Sequence, residues 1–181
     1  LLKNKLIFFM ADKLIIDWKQ YNLIVEKLAI QIHKSGFKPD ILIGIMRGGA
    51  PIIDVLSRVF KLKCAYLAVE SYSGEGTEDQ QGELVFSREM SSTVQEMRGN
   101  ILLCDDLSDT GVTLNKSIYW LKKYPPLQGN IKSIKTAVLW KKKDSTFKPD
   151  YCAQKLNSNP WIVQPFEHYE EVRVEDLIKK H

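Results

Sequence analysis

Short apolar runs bounded by polar residues recur along the chain and predict buried strands. Such runs are Ile41–Met46, Cys64–Val69, Ile101–Cys104 and Ile134–Trp140. Continuous apolar runs of about four to eight residues are typical of strands buried on both faces of a parallel sheet. The stretch Leu6–Ile16 is also strand-like, although its apolar and polar residues alternate poorly.

Segments with helical spacing of apolar residues separate these runs. Asp17 and Gln20 have the spacing of a capping box at a helix N terminus. The apolar positions that follow recur every three or four residues, at Tyr21, Ile24, Val25, Leu28, Ala29 and Ile32. Further helices are predicted over Ile52–Phe60, Val112–Tyr124 and Val174–Lys180. Strands that alternate with helices indicate an α/β fold, in which a central parallel sheet is flanked by helices.

Composition and charge narrow the class of protein only slightly. A chain of 181 residues, 44% hydrophobic and 27% charged, fits one domain with a sizeable core. The net charge of +4 favours a polyanionic small substrate but does not demand nucleic acid. Cys64, Cys104 and Cys152 have no disulfide or metal-binding spacing, which suits a reducing cytoplasm.

The beginning of the chain is not expected to be a targeting segment. Leu6–Ala11 is too short for a membrane helix and is interrupted by Asp12 and Lys13, so we expect neither a signal peptide nor a membrane span. The chain does not begin with Met, and Met10 is a candidate for the natural start.

Polar chemistry is concentrated where the Ile101–Cys104 run ends. Asp105 and Asp106 close the predicted strand, a turn of small residues follows from Ser108 to Gly111, and a helix begins after it. Such a turn presents backbone N–H groups and the positive end of a helix dipole, which together bind phosphate. The two carboxylates can accept hydrogen bonds from vicinal hydroxyls or hold a hydrated Mg2+. This arrangement predicts a site for a phosphorylated sugar; the alternative is an ordinary strand–turn–helix corner with surface acids.

A second polar corner follows the Ile41–Met46 strand. This corner is the sequence Arg47, Gly48, Gly49. The two glycines leave their backbone amides accessible beside the Arg47 guanidinium, so the amides and the guanidinium can bind the same anion. The alternative is a plain tight turn between a strand and a helix. A third polar region, 72–99, contains a short predicted strand at Leu84–Phe86. Loops of this length in compact domains are usually functional or mobile.

The stretch 101–114 resembles the phosphoribosyl pyrophosphate (PRPP) signature of the type I phosphoribosyltransferases. It has apolar strand residues, two acids, two spacers, Asp-Thr-Gly and then a hydroxyl two residues on. The resemblance implies that family's fold: one domain over 1–181, with a core at about 17–141 and a small hood from about 1–16 and 144–181. It implies Asp109 as the general base. The implied PRPP-binding residues are Asp105, Asp106, Leu107, Ser108, Asp109, Thr110, Gly111 and Thr113.

Two further segments resemble loops of the purine branch of this family. The pyrophosphate-binding loop is matched by Arg47, Gly48 and Gly49. In purine members the first peptide bond of this loop, here Met46–Arg47, is often cis. Ser71 and Tyr72 match a Ser-Tyr pair that begins a flexible loop, which closes over the reaction centre and excludes water.

A run of three lysines follows the last predicted strand of the core. Lys141 lies one step past that strand, where purine members have a lysine that donates to the exocyclic 6-oxygen of the base. An ammonium group has only donors, so it selects a 6-oxopurine over a 6-aminopurine. Lys142 and Lys143 are predicted to be solvated.

The stretch 159–167 resembles the C-terminal hood of the bacterial xanthine–guanine phosphoribosyltransferases, where a Trp-Ile pair precedes Gln-Pro-aromatic-acid. By this resemblance Trp161 stacks on the purine and the backbone of Ile162 pairs with the base edge. Asp106 and Glu167 are the implied Mg2+ ligands, although the family commonly has Asp at the position of Glu167. The alternative for Trp161 is a core tryptophan that anchors the hood.

The resemblance implies an enzyme of purine salvage that transfers ribose 5-phosphate from PRPP to a 6-oxopurine, with Mg2+ as cofactor. It does not rank guanine, xanthine and hypoxanthine. The alternative from another class is a PRPP- or nucleotide-sensing regulator that binds nucleic acid, but apart from Lys141–Lys143 the basic residues are scattered. A pyrimidine acceptor such as orotate is disfavoured by Lys141 and Trp161. We expect a cytoplasmic homo-oligomer, a dimer or tetramer, without a nucleic-acid partner.

Overall fold

The computed structural model describes residues 13–72, 83–92, 94 and 96–181. The candidate start at Met10, most of Leu6–Ile16 and the centre of the predicted flexible loop lie outside these residues. The strands are β1 (Lys13–Ile15), β2 (Ile41–Met46), β3 (Cys64–Tyr72), β4 (Glu83–Phe86), β5 (Ser91–Ser92), β6 (Gly99–Ser108), β7 (Ile131–Lys141), β8 (Tyr151–Lys155) and β9 (Trp161–Val163). The α-helices are α1 (Trp18–Lys34), α2 (Gly49–Phe60), α3 (Val112–Lys123) and α4 (Val174–Lys180), and short 3-10 helices span Pro125–Leu127 and Glu167–Glu170.

The main sheet has the strand order β4-β3-β2-β6-β7-β8, and β5 pairs with β3. Pairing is parallel from β3 through β2, β6 and β7 to β8, whereas β4 and β5 run antiparallel to β3. Near the two ends of the chain, β1 and β9 pair in parallel as a separate two-stranded sheet. The predicted parallel α/β fold, with a hood formed from both chain ends, is therefore confirmed. The division into core and hood segments of a single domain stays a prediction.

Both faces of the main sheet are covered by helices. Leu42 and Leu102 pack with buried residues of α1 and α2, whereas their neighbours Ile43 and Leu103 pack with Leu114 of α3. Successive side chains of a strand point to opposite faces, so continuous apolar strands are needed to fill both cores. This three-layer arrangement leaves the strand ends as the accessible edge of the sheet.

Helix α1 follows the predicted pattern closely. The Asp17 side chain accepts a hydrogen bond from the Gln20 amide at 2.7 Å, and the Gln20 side chain accepts one from the Asp17 amide at 2.9 Å. Its buried residues are those predicted from helical spacing: Tyr21, Ile24, Val25, Leu28, Ala29 and Ile32. Within the described ranges, no helix is both long enough and apolar enough to cross a membrane.

Several boundaries differ from the predictions because backbone pairing continues past the apolar residues. Strand β6 runs through the two acids to Ser108, which is paired with Lys141 of β7, so the prediction that Asp105 and Asp106 close the strand and that the turn begins at Ser108 was wrong. Likewise, β7 begins at Ile131 and includes Lys141 rather than ending before it. Helix α2 begins at Gly49, three residues before Ile52, with Pro51 inside its first turn, where a proline is tolerated.

Candidate active site

The parallel strands β2, β6 and β7 end at the same edge of the sheet, and predicted site residues lie at or just beyond each end. Ligands of open parallel sheets bind outside the carboxyl ends of the strands. Arg47 follows β2, Asp109 follows β6 and Lys141 is the last residue of β7. The pairing of Ser108 with Lys141 fixes the last two strand ends side by side.

The turn after β6 is built to leave the N terminus of α3 open. Gly111 has a φ of 91°, and a Cβ atom there would overlap Phe147, so the turn requires glycine. The buried hydroxyl of Ser108 shares a 2.8 Å hydrogen bond with the hydroxyl of Ser145. The Thr110 carbonyl accepts one from the Thr146 amide at 3.3 Å. The N-cap residue Gly111 has no side chain, and the first amide of α3, that of Val112, donates to Thr110 Oγ1 at 3.3 Å. The next amides of the first turn are available to an anion.

Asp105 and Asp106 occupy different environments although they are adjacent in β6. Asp105 is buried, and its Oδ1 accepts a hydrogen bond from the Asp106 amide at 3.0 Å. Burial, and then the negative charge of Asp106, raise the pKa of Asp105 well above its ordinary value. Asp106 is half-buried, and its carboxylate accepts a hydrogen bond from the side-chain amide of Gln164. Asp106 is thus the acid that reaches the hood.

The loop after β2 lies directly against Asp106. A Cβ atom at Gly48 would overlap the Asp106 carboxylate, so the two segments approach as closely as glycine permits. The Met46–Arg47 peptide bond is cis, as the resemblance implied. Arg47 itself is exposed, and its Nη2 lies 2.6 Å from Oε1 of Glu170.

A cavity of about 550 Å³ joins these segments to the hood. Its lining includes Arg47, Gly48, Asp106, Trp161, Gln164 and Glu167. Trp161 is 59% exposed, so its indole face is accessible, whereas its neighbour Ile162 is 5% exposed. The predicted pyrophosphate-binding loop, one acid of the predicted PRPP signature and the hood tryptophan therefore line one cavity.

The lysine run is divided between different environments. Nζ of Lys141 donates to the Ser145 carbonyl at 2.7 Å, and Lys141 lines a second cavity, of about 650 Å³, that does not include Trp161. The structure thus does not place Lys141 and Trp161 in one cavity. The prediction that Lys142 is solvated was wrong. It is 8% exposed and pairs with Asp109, because its amide continues the backbone pairing with Ser108 and directs the residue toward the turn. Lys143 is exposed, as predicted.

The remaining predicted site residues lie in α3, β6 and β3. Thr113 lies in the first turn of α3, and Leu107 is paired with Trp140 inside the sheet. Ser71 and Tyr72 are the last residues of β3, paired with Leu84 and Glu83. The contact of Gln164 with Asp106 was not predicted from the sequence. The one indication that Gln164 belongs to the site was its position in the hood motif 159–167.

The oxygen donors of the first cavity suit Mg2+. Asp106 and Glu167 supply carboxylates, and Gln164 Oε1 is buried and has no hydrogen-bond partner among the residues that the structure describes. In the part of the chain that the structure describes, no group of three or more His, Cys, Asp or Glu residues is placed to enclose a metal. Magnesium in phosphate sites is usually held by one or two carboxylates together with substrate phosphates and waters, so this donor set fits.

Comparison with known proteins agrees with this geometry. A family model described as the phosphoribosyl transferase domain matches residues 14–171. A purine phosphoribosyltransferase from Pyrococcus horikoshii is 28% identical and has a TM-score of 0.69, with 86% of this chain and 93% of that chain covered. No curated protein sequence matches the chain.

Two further solved structures share the fold at lower identity. The xanthine-guanine-hypoxanthine phosphoribosyltransferase of Helicobacter pylori is 20% identical with a TM-score of 0.69, covering 93% of this chain and 99% of that chain. A Neisseria gonorrhoeae protein solved with bound ppGpp is 21% identical with a TM-score of 0.67, covering 94% and 95%. Since the family model spans most of the sequence, the chain belongs to the phosphoribosyl transferase domain family.

Proposed function

We propose that the protein transfers ribose 5-phosphate from PRPP to a 6-oxopurine, giving the nucleoside monophosphate and pyrophosphate. The observation that carries the proposal is the cavity shared by Arg47, Asp106 and Trp161. It offers a cation and glycine amides for a pyrophosphate, a carboxylate for ribose hydroxyls and an indole face for a flat base. The purine phosphoribosyltransferases among the similar structures support the choice of a purine.

In this proposal each polar corner holds one part of PRPP. The 5-phosphate binds the amides at the uncapped N terminus of α3, beside Ser108 and Thr110. Asp105 and Asp106 accept hydrogen bonds from the ribose hydroxyls, and the Asp106 carboxylate stabilises positive charge that develops on the sugar. Arg47, Gly48 and Gly49 bind the pyrophosphate. Asp106 and Glu167 would hold Mg2+, which supplies positive charge for the departing pyrophosphate.

The reaction requires no nucleophilic side chain of the protein. The bond between the sugar C1 and the pyrophosphate oxygen breaks, a bond from C1 to the purine nitrogen forms, and Asp109 takes the proton from that base. The Asp109 side chain is 61% exposed, so its carboxylate is accessible although one oxygen is paired with Lys142. Lys141 donates to the 6-oxygen. Its ammonium has three N–H donors; the Ser145 carbonyl at 2.7 Å and the Lys142 carbonyl at 3.5 Å accept two of them, and the third is available to the base.

The test is a panel of acceptors with PRPP and Mg2+ at steady state. Guanine, xanthine and hypoxanthine are expected to be turned over with release of pyrophosphate, and adenine and orotate are not. Turnover of adenine or orotate alone would contradict the assignment of a 6-oxopurine. Tight binding of nucleic acid at physiological salt, without turnover of any base, would favour the regulator instead. The dimer or tetramer and the cytoplasmic location stay predictions.

A further inference from the structure

Gln164 links the hood to the PRPP signature through its side chain. It follows β9, is 6% exposed, and its Nε2 donates to Oδ2 of Asp106. A carboxylate only accepts hydrogen bonds, so the amide nitrogen must face Asp106 and the amide oxygen must face away from it. The orientation of the amide group is therefore fixed by chemistry.

The amide oxygen of Gln164 has no hydrogen-bond partner in the described part of the chain. Its Oε1 is buried and accepts no hydrogen bond within the described residues, although Gln164 lines the cavity shared with Arg47 and Trp161. The backbone carbonyl of the same residue is satisfied by the Glu167 amide at 3.0 Å. A buried unpaired acceptor costs free energy, and a ligand that brings a donor removes that cost.

We propose that Gln164 binds the hydroxyl-bearing part of the substrate; this role rests on the function proposed above. Its Nε2 holds the Asp106 carboxylate in place, and its Oε1 accepts a hydrogen bond from an O–H group of the bound complex. Asp106 and Oε1 then offer the bound complex two acceptors, which two O–H donors can meet. The donors are either the vicinal hydroxyls of the ribose or waters bound to Mg2+.

The test compares Gln164→Met with wild type by calorimetric titration of the full chain. Met keeps the length of the side chain and removes both polar atoms. We expect binding of Mg2+-PRPP to weaken about tenfold, the loss of one or two hydrogen bonds, while the melting temperature of the unliganded protein does not fall. A purely structural role predicts the opposite: a lower melting temperature and unchanged affinity. The matched control is Gln154→Met, since Gln154 bonds the Trp140 indole at 3.3 Å and does not line this cavity.

A second ligand separates the two sources of the O–H donor. Ribose 5-phosphate without metal carries the hydroxyls alone. Weaker binding of ribose 5-phosphate to Gln164→Met assigns the hydroxyls, whereas a loss confined to Mg2+-PRPP assigns the waters, and both outcomes support the proposal. Gln164→Glu covers the case in which Gln164→Met fails to fold, because it keeps the shape but replaces the donor to Asp106 with an acceptor; it is expected to weaken Mg2+-PRPP binding as well.

Two results would overturn the inference, and they are distinguishable. A wild-type protein that binds Mg2+-PRPP, with Gln164→Met and Gln164→Glu binding it equally well, would overturn the role of Gln164 and leave the proposed function standing. A wild-type protein that binds neither Mg2+-PRPP nor ribose 5-phosphate would overturn the proposed function and the role of Gln164 with it.

Discussion

Nζ of Lys142 lies 3.0 Å from Oδ2 of Asp109. The two partners are unequally exposed, since 10% of the Lys142 side chain and 61% of the Asp109 side chain are accessible. A buried ammonium group needs a partner, whereas an exposed carboxylate is also solvated by water. The pair therefore fixes Oδ2 of Asp109, while the carboxylate as a whole stays accessible to a substrate.

Replacement of Asp109 tests its assignment as the general base. Asp109→Ala is expected to lower kcat about 10²- to 10⁴-fold, because general-base catalysis contributes about that much, while the KM for PRPP changes little. Steady-state kinetics with each 6-oxopurine measure both values. Asp54→Asn is the control, since Asp54 lies on α2 and pairs with Arg58 instead. Equal kcat values for wild type and Asp109→Ala would remove Asp109 from the mechanism.

The unequal burial of the pair predicts an asymmetric effect on stability. Asp109→Asn leaves the Lys142 ammonium buried without its charged partner and is expected to lower the free energy of unfolding by about 1–3 kcal/mol. Lys142→Met leaves Asp109 exposed to water and is expected to lower it less. The double variant is expected to be more stable than Asp109→Asn alone. Urea unfolding followed by circular dichroism measures these differences, and equal losses in the two single variants would contradict the argument.

The raised pKa of Asp105 predicts that the contribution of this residue to the free energy of unfolding falls as pH rises. Between the ordinary carboxyl pKa and the raised one, the folded protein binds more protons than the unfolded chain, so raising the pH across that interval favours unfolding. Asp105→Asn removes the ionisable group and keeps an oxygen that can accept from the Asp106 amide. We expect its melting temperature to exceed that of wild type at pH 8 and the difference to shrink toward pH 4.

The measurement is thermal unfolding from pH 4 to pH 8 in the presence of EDTA, with Asp54→Asn as an exposed control. The expected dependence on pH comes from the raised pKa of Asp105, of which burial is the larger cause and the charge of Asp106 the smaller. A wild-type curve whose difference from Asp105→Asn does not change with pH would show that the pKa of Asp105 is not raised in the folded protein.

Two kinds of contact could be predicted from the sequence: contacts between residues a few positions apart, and contacts between loops at the same edge of the sheet. The capping box of Asp17 and Gln20 depends on two residues three positions apart. The meeting of the Gly48 loop with Asp106 follows from parallel strands, whose carboxyl ends share one edge. In both cases the geometry is set by a regular element, so spacing in the sequence is enough.

Side-chain partners outside regular elements could not be predicted in the same way. Gln164 meets Asp106 across 58 residues and Arg47 meets Glu170 across 123 residues, and no periodicity connects either pair. Lys142 was misjudged because a run of lysines suggests solvation, whereas its direction is decided by one backbone hydrogen bond to Ser108 after the last residue of β7. The direction of the Lys142 side chain therefore depends on where the backbone hydrogen bonds of β7 end, and not on where its apolar residues end.

Selection of the base tests the position of Lys141, whose cavity does not include Trp161. If the 6-oxygen of the purine reaches its ammonium, Lys141→Met removes a charged hydrogen bond, and kcat/KM for hypoxanthine is expected to fall about 10- to 100-fold. Lys143→Met is the control, because Lys143 is the exposed member of the same run. Steady-state kinetics with hypoxanthine and adenine measure the change in selectivity. An unchanged kcat/KM for hypoxanthine in Lys141→Met would mean that the base binds beside Trp161 without contacting Lys141, and that another donor selects the 6-oxo group.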